Sequence, residues 1–433
     1  MNCFNSTSRI LLVAALLVAG NWSVRAQGIG VGTTTPAAAA ALDVTSTTQG
    51  LLLPRMTAAQ RAAIASPPQS LIVFQTDGTP GMYYYIGNSW VSMASGLIPD
   101  ANGTAGPSPA LRVTTLAGSG ITGATNGTGT AAQFSTPGGL ALDASGNLFV
   151  ADRSNQCIRQ IVVATGVVTT LAGSTIGSAN GTGTAAQFNT PSGVASDNSG
   201  NLYVADQNNN LIRKIVVATG VVTTLAGSGT SGFADGTGLA AQFNSPAGVV
   251  TDGSGNLYVA DQSNNCIRKI VVATGVVTTL AGSGTSGFAD GTGPAAQFRL
   301  PTGITIDASG NLYVTDQSNN RIRKIVVTTG VVTTLAGSGA AGNFDGTAAQ
   351  FHNPAGIVAD GSGNLYVADQ SNYRIRKIVV ATGVVSTLAG STPGSADGTA
   401  AGAQFNYPYG VTVDASGTVY VGDTFNQRIR IIK

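Results

Sequence analysis

AAQFNSPAGVVTDGSGNLYVADQSNNCIRKIVVATGVV, residues 240–277, is one copy of a text that fills the chain from residue 112 onward. The phrase TLAG accompanies each copy, at Thr115, Thr170, Thr224, Thr279, Thr334 and Thr387, with spacings of 55, 54, 55, 55 and 53 residues. A fixed period near fifty, holding several short apolar runs, is the mark of propeller blades or stacked repeats. The copy at 240–277 predicts four strands: 248–251, 257–260, 266–272 and 276–281. They are rich in β-branched residues and separated by the DGSGN turn (252–256) and the ATG turn (273–275), which fits an antiparallel meander. First strands carry small or β-branched residues, as the narrow centre of a ring requires. Third strands alternate apolar residues with Arg or Lys.

The phase of the count selects a closed ring. P-x-G starts occur at Pro137, Pro191, Pro246, Pro301, Pro354 and Pro408, yet the series opens on TLAG and ends on IRII at 429–432. The sixth unit therefore lacks a fourth strand, and the orphan strand 113–117 supplies it. Such closure leaves no open sheet edge, whereas a solenoid needs polar capping repeats, which this sequence does not offer. The expected fold is all-β: a closed six-bladed propeller of four-stranded antiparallel blades over 112–433, with a small N-terminal α+β module.

At this point the residues resemble a family. PTGITIDASGNLYVTDQSNNRIRKI, from Pro301 to Ile325, is similar to the NHL repeat. The AGSGTSGFADGTG segment resembles the longer variant of teneurin-type and bacterial secreted NHL propellers. The resemblance implies a six-bladed propeller but no single activity, because such propellers include RNA binders, protein-interaction domains, an amidating lyase and relatives of calcium lactonases.

Arg9, the apolar run 10–19 and the small residues at 24–26 read as a signal peptide over residues 1–27, too short to span a bilayer. Residues 28–95 form a different module. It has a short strand at 42–44, a helix at 57–65 capped by Thr57 with Gln60 three residues on, and strands at 71–76 and 82–86. Its VGTTTP, LLLPRMT, AAQRAAI and YYYIGNSWV segments resemble the leader module of bacterial surface and fibre-like proteins, which implies assembly as a trimer. Residues 96–111 are a Gly/Pro/Ser-rich linker. The expected location is secreted, extracellular or bacterial cell surface, with no transmembrane segment.

Charged residues make up 9% of the chain and the net charge is +2, which gives no electrostatic footprint for nucleic acid. Beyond the leader only Cys157 and Cys266 remain. They hold the same repeat position in blades one and three, too far apart for a disulfide, and read as small buried hydrophobes.

Every candidate acid recurs with the repeat. Asp143 and its five equivalents end the first strands; Asp152, Asp206, Asp261, Asp316, Asp369 and Asp423 end the second. Seven residues after each of the latter stand Arg159, Arg213, Arg268, Arg323, Arg376 and Arg430. These are read as structural hairpin pairs, worth about 0–1 kcal/mol each at an exposed surface. Catalysis lacks its parts: the chain has no glutamate and one histidine, His352. A zinc site or a lactonase-type Glu/Asn/Asp cluster is therefore not supplied. No cofactor is expected, though Asp, Asn and carbonyl oxygens leave room for a calcium ion, structural rather than catalytic. The leading reading is a non-catalytic protein or carbohydrate binding scaffold, and the alternative is a calcium-dependent lactonase- or lyase-like enzyme.

The departures from symmetry carry the site hypothesis. Arg299 and His352 replace the small polar residues that precede the other first strands, Tyr407 and Tyr409 stand close by in the sixth unit, and Tyr373 and Phe425 enter second-to-third-strand loops. All lie in blades four to six and predict a shallow patch for a protein or carbohydrate ligand.

Overall fold

The structure is a computed structural model, and it describes residues 29–31, 42–44, 53–68, 71–78, 80–86, 89–92 and 111–433. The signal-peptide and nearly all of the linker expectations lie outside these residues. The chain divides into two compact units, Met1–Pro109 and Ala110–Lys433.

In the first unit, Ile29–Val31 pairs in parallel with Leu42–Val44. A four-stranded sheet follows, ordered Arg55–Met56, Ile72–Gln75, Gly81–Ile86, Ser89–Ser92. The helix is shorter than the sequence predicts, Ala58–Ala62, but its capping box forms as read: Gln60 N–H donates to Thr57 Oγ, and Thr57 N–H to Gln60 Oε1. Arg61 lies over the Tyr83 ring, 3.9 Å from its centre.

In the second unit the six repeats are six sheets. Blade 3 runs Pro246–Thr251, Asn256–Asp261, Cys266–Val271 and Val276–Ala281, each strand antiparallel to the next. The first strands contact one another in a complete cycle, blade 6 against blade 1 included, so they line the axis. The P-x-G glycine makes that cycle possible. A Cβ on Gly303 would sit 2.2 Å from the Ala355 carbonyl oxygen of the next blade, and on Gly248 2.3 Å from that of Thr302. No larger residue fits there without displacing backbone.

Blade 6 closes as the phase predicts. Pro408–Val413, Val419–Asp423 and Arg428–Ile432 are completed by Arg112–Ala117, with Ile432 opposite Val113. Arg112 and Lys433 exchange two backbone hydrogen bonds of 2.8 and 3.0 Å.

The sequence reading missed a fifth strand. Two-residue strands such as Gly236–Thr237 add to the outer edge of five blades, here opposite Val276 and Val277. Blade 5 has a shorter connection, and only the bridge Gly346–Val385 remains.

The largest correction concerns the repeated Asp–Arg pairs, which are core rather than surface. All six ion pairs, 2.7–2.9 Å long, are fully buried on both sides. Each arginine also donates to two carbonyls and to a second side chain: Arg323 reaches Gln297 O, Ala289 O and Asp290 Oδ1. Each aspartate accepts a backbone N–H and an asparagine amide as well, as Asp316 does from Arg299 and Asn319. The guanidinium lies 5.1–5.4 Å from the centre of the preceding repeat phenylalanine, Phe298 for Arg323. A charge that deep persists because the carboxylate and both terminal guanidinium nitrogens are paired, while the Nε–H of each arginine is buried without a partner. Burial pushes these carboxyls up, to about 6 for Asp152, but every neighbour donates, which holds the ionised form.

The first-strand aspartates close tight turns as read: Asp307 Oδ1 accepts Ser309 and Asn311 N–H, and Oδ2 accepts the Tyr313 hydroxyl. Cys157 and Cys266 are free and buried, in line with the sequence reading.

Candidate functional site at the channel mouth

The second-to-third-strand loops and the connections between blades emerge on one face, around the axial channel. Each loop is one turn of 3-10 helix after the buried aspartate, ending in a left-handed residue: Gln156, Asn210, Asn265, Asn320, Tyr373 or Gln427. At five blade junctions the amide oxygen of that residue accepts a backbone N–H of the following blade. Gln156 takes Thr190, Asn210 takes Ser245, Asn265 takes Leu300, Asn320 takes Asn353 and Gln427 takes Thr136. Between blades 5 and 6 both positions are tyrosines, which cannot form this clasp. Tyr373 and Tyr407 instead meet edge to face at 5.2 Å, and Tyr407 leans on Phe425 at 4.9 Å. Phe425 is 55% exposed, and the Tyr407 hydroxyl raises the Tyr373 phenol.

The six residues proposed from sequence thus separate. Tyr373, Tyr407 and Phe425 form one aromatic cluster on the rim. Arg299 is exposed with no ion pair, and its backbone N–H, like that of half-buried His352, binds the buried aspartate of its blade. Tyr409 belongs elsewhere. It spans the channel mouth, with its hydroxyl 3.0 Å from Ser192 Oγ of blade 2 and the Arg153 guanidinium of blade 1 stacked on its ring at 4.9 Å.

Around Tyr409 runs a chain of hydrogen bonds that the sequence reading missed. Arg153 Nη2 donates to Gln207 Oε1 at 3.0 Å, and Gln207 Nε2 to Gln262 Oε1 at 3.2 Å. Gln262 Nε2 donates to Thr302 Oγ1 at 2.8 Å, which lies 3.1 Å from Gln317 Oε1. The arginine and the glutamines follow the buried aspartates directly, so the backbone that fixes the core also fixes the mouth. Behind them the channel narrows to a cavity of about 60 Å³ lined by the axial glycines, Leu140, Val194, Val249, Ile304, Ile357, Val411, Thr302 and Tyr409. That lining supplies hydroxyls and carbonyls but no carboxylate or imidazole, so it does not fit a calcium or zinc ion.

The mouth is built from concerted departures. Where other blades have serine, alanine, threonine or tyrosine, blade 1 has Gly138, and a Cβ there would lie 2.6 Å from Arg153 Cδ. Blade 6 has Gly422, where a Cβ would lie 2.8 Å from Gly138 O. Arg153 itself stands where blades 2 to 5 have glutamine. That single change was the available signal; it sits in blade 1, outside the half of the ring to which the large departures drew attention.

Comparison with known proteins agrees with this architecture. The family described as NHL repeat matches residues 134–161, 188–215, 243–270, 298–325, 351–378 and 405–432. The family described as phage tail like trimerisation region matches residues 30–109. The chain is 32% identical over 316 residues to the protein SUPPRESSOR OF QUENCHING 1 of Arabidopsis thaliana, covering 68% of this chain and 30% of that one. It is 28% identical over 284 residues to teneurin-3 of Danio rerio, covering 54% of this chain and 10% of that one. The chain thus spans under a third of either relative. An auxiliary nutrient binding protein from Bacteroides ovatus has a similar structure, with a TM-score of 0.59 at 16% identity, covering 82% of this chain and 89% of that one. Six repeat matches on six sheets, closed between residues 112–117 and 428–432, make this chain an NHL-repeat β-propeller that follows a phage-tail-like trimerisation region.

Proposed function

We propose that the protein is an exported, surface-displayed binding module whose propeller captures carbohydrate at the channel mouth without turning it over. The observation that carries this reading is the mouth itself. An arginine stacked on a tyrosine and a chain of side-chain amides offer a preorganised set of hydrogen-bond donors, while the channel lining offers no acid, base or nucleophile arrangement. Recognition of the same fold in an auxiliary nutrient binding protein supports the class of activity, by fold alone. The N-terminal match supports a trimeric stalk, on which three weak sites would act together with a gain of about 10²-fold or more in avidity. A calcium-dependent lactonase is the competing reading. It needs carboxylate ligands in the channel, and this channel is lined by glycine, aliphatic residues, Thr302 and Tyr409.

The test is a glycan and protein-partner screen with the full chain, alongside turnover assays on lactones with and without chelator. Glycan capture without turnover is the expected result. Chelator-sensitive lactone hydrolysis, or capture of proteins and of no glycan, would refute the reading.

A further inference from the structure

The chemistry of the mouth narrows the ligand, given that carbohydrate capture occurs there. Five of the six side chains that begin the channel-side loops are neutral: Gln207, Gln262, Gln317, Gln370 and Thr424. The sixth is Arg153, and it differs from the six core arginines in its surroundings. Those are each neutralised by a buried aspartate, whereas Arg153 forms no ion pair. Among the described residues its one side-chain hydrogen bond goes to Gln207, while its Nε–H, like those of the six core arginines, is buried without a partner. Within the hydrogen-bonded chain beside Tyr409, Arg153 is the one cation, and no acid pairs with it.

The amides around it point the same way. Gln207 and Gln262 each spend one N–H on the next residue of the chain, and a primary amide carries two. Each oxygen accepts one bond from the preceding donor, so each amide keeps an N–H, beside one lone pair, for a ligand. The one side-chain charge in this hydrogen-bonded chain is the Arg153 cation, set beside amide N–H groups, and its complement is a hydrogen-bond acceptor bearing one negative charge. The cavity of about 60 Å³ behind the mouth is lined by glycines, aliphatic residues, Thr302 and Tyr409 and not by Arg153, so the charged end of a ligand meets the guanidinium at the mouth itself.

We infer that the channel mouth binds the carboxylate of a uronate residue end-on, with Arg153 as its cationic anchor and Tyr409 holding the guanidinium in place. Gly138 and Gly422 are the accompanying changes that make room: one lets Arg153 lie across blade 1, and the other lets blade 6 approach it. Side-chain drift would leave such changes scattered. Here Gly422 of blade 6 and Gly138 and Arg153 of blade 1 meet one another, and Arg153 reaches on to Gln207 of blade 2.

Titration calorimetry on the full chain, at low and at physiological salt, tests this with D-glucuronate and D-galacturonate against D-glucose, glucose 6-sulfate and triglycine. At least one uronate is expected to bind tenfold or more tighter than glucose, with affinity falling as salt rises. Arg153→Gln abolishes that difference while thermal unfolding is unchanged, since glutamine is the residue of blades 2 to 5. Equal binding of glucose, equal or tighter binding of glucose 6-sulfate or triglycine, or full uronate affinity in Arg153→Gln would each overturn the inference. A neutral glycan captured equally by the parent and Arg153→Gln would sink this inference and leave carbohydrate capture standing. Failure of every glycan, uronates included, would sink both.

Discussion

Replacing Arg323 by methionine separates a core ion pair from a surface one. Methionine keeps the stem and its packing against Phe298 but removes four hydrogen bonds: to Asp316 at 2.8 Å, Asp290 at 2.7 Å, Gln297 O at 3.0 Å and Ala289 O at 2.8 Å. What remains is the Asp316 carboxylate, fully buried, with the Arg299 N–H and the Asn319 amide but no cation. Removing one partner of a buried pair costs about 3–5 kcal/mol, against about 0–1 kcal/mol for an exposed pair. With an unfolding entropy of ~2.1 cal/mol/K per residue over the roughly 320 residues of the propeller, that loss lowers Tm by about 4–7 °C. Denaturant titration and calorimetry of the full chain measure it. Lys324→Met is the control, since Lys324 neighbours Arg323 on the strand, is half-buried and makes no ion pair; its effect stays within about 0.5 kcal/mol. Adding Asp316→Asn to Arg323→Met removes the stranded charge and recovers at least ~1 kcal/mol, a coupling that independent sites do not show. A loss below about 1 kcal/mol in Arg323→Met would refute the claim that these pairs hold the core.

Gly303→Ala places a Cβ 2.2 Å from the Ala355 carbonyl and costs about 1–3 kcal/mol or more in denaturant titration, whereas Gly361→Ala, with nothing within 4 Å, costs under ~0.5. Asp307 lies below its ordinary value of 3.8 because Asn311, Ser309 and Tyr313 donate to it against the effect of burial. Its contribution is therefore present above pH 3.8 and lost as pH falls through the lower folded value. The stability lead of the parent over Asp307→Asn should be constant at neutral pH and close in acid; a constant lead down to pH 2 would refute this. Tyr373→Asn rebuilds the clasp to the Tyr407 N–H, as Asn320 does for Asn353, and leaves stability within about 0.5 kcal/mol while removing the rim cluster; a larger loss would show that the aromatic pair is a structural joint. The intact full chain should weigh three times its monomer by light scattering, and a monomer at high concentration would refute the stalk.

The architecture was legible because symmetry repeats the same message six times. The offset of TLAG against P-x-G identified both the blade count and the strand that closes the ring, which the structure places opposite Ile429–Ile432. Burial was not legible in the same way. An aspartate seven residues before an arginine has one spacing whether the pair faces water or the interior. The decisive partners, Gln297 O and Ala289 O, are backbone atoms 26 and 34 residues away. The fifth strands escaped notice because two residues, Gly236 and Thr237, carry no periodicity. At the site, size governed what the sequence showed. Tyrosine, phenylalanine and histidine stand out against a small-residue repeat and lie in blades four to six, whereas a glutamine-to-arginine change in blade 1 is quiet in the sequence and lies in space against one of them, Tyr409.

The weight of that change follows from how a ring stores information. Six equivalent loops place six equivalent side chains around one axis, so a perfectly repeated mouth could only bind something with the same pseudo-symmetry, or bind one ligand in six ways. Selectivity for a single orientation requires breaking the ring, and one changed loop cannot do so alone because its neighbours crowd it. Arg153 needs Gly138 beneath it, and the close approach of blade 6 to Gly138 needs Gly422. Tyr409 then crosses to Ser192 and fixes the arginine from above. These changes fall at the junction of blade 6, which the two ends of the repeat array build together, with blades 1 and 2. Stability resides in what the six blades share, the buried Asp–Arg pairs and axial glycines, and recognition in what blades 6, 1 and 2 do not. Substituting Arg153 by glutamine should therefore change binding without changing folding, and substituting Arg323 should do the reverse.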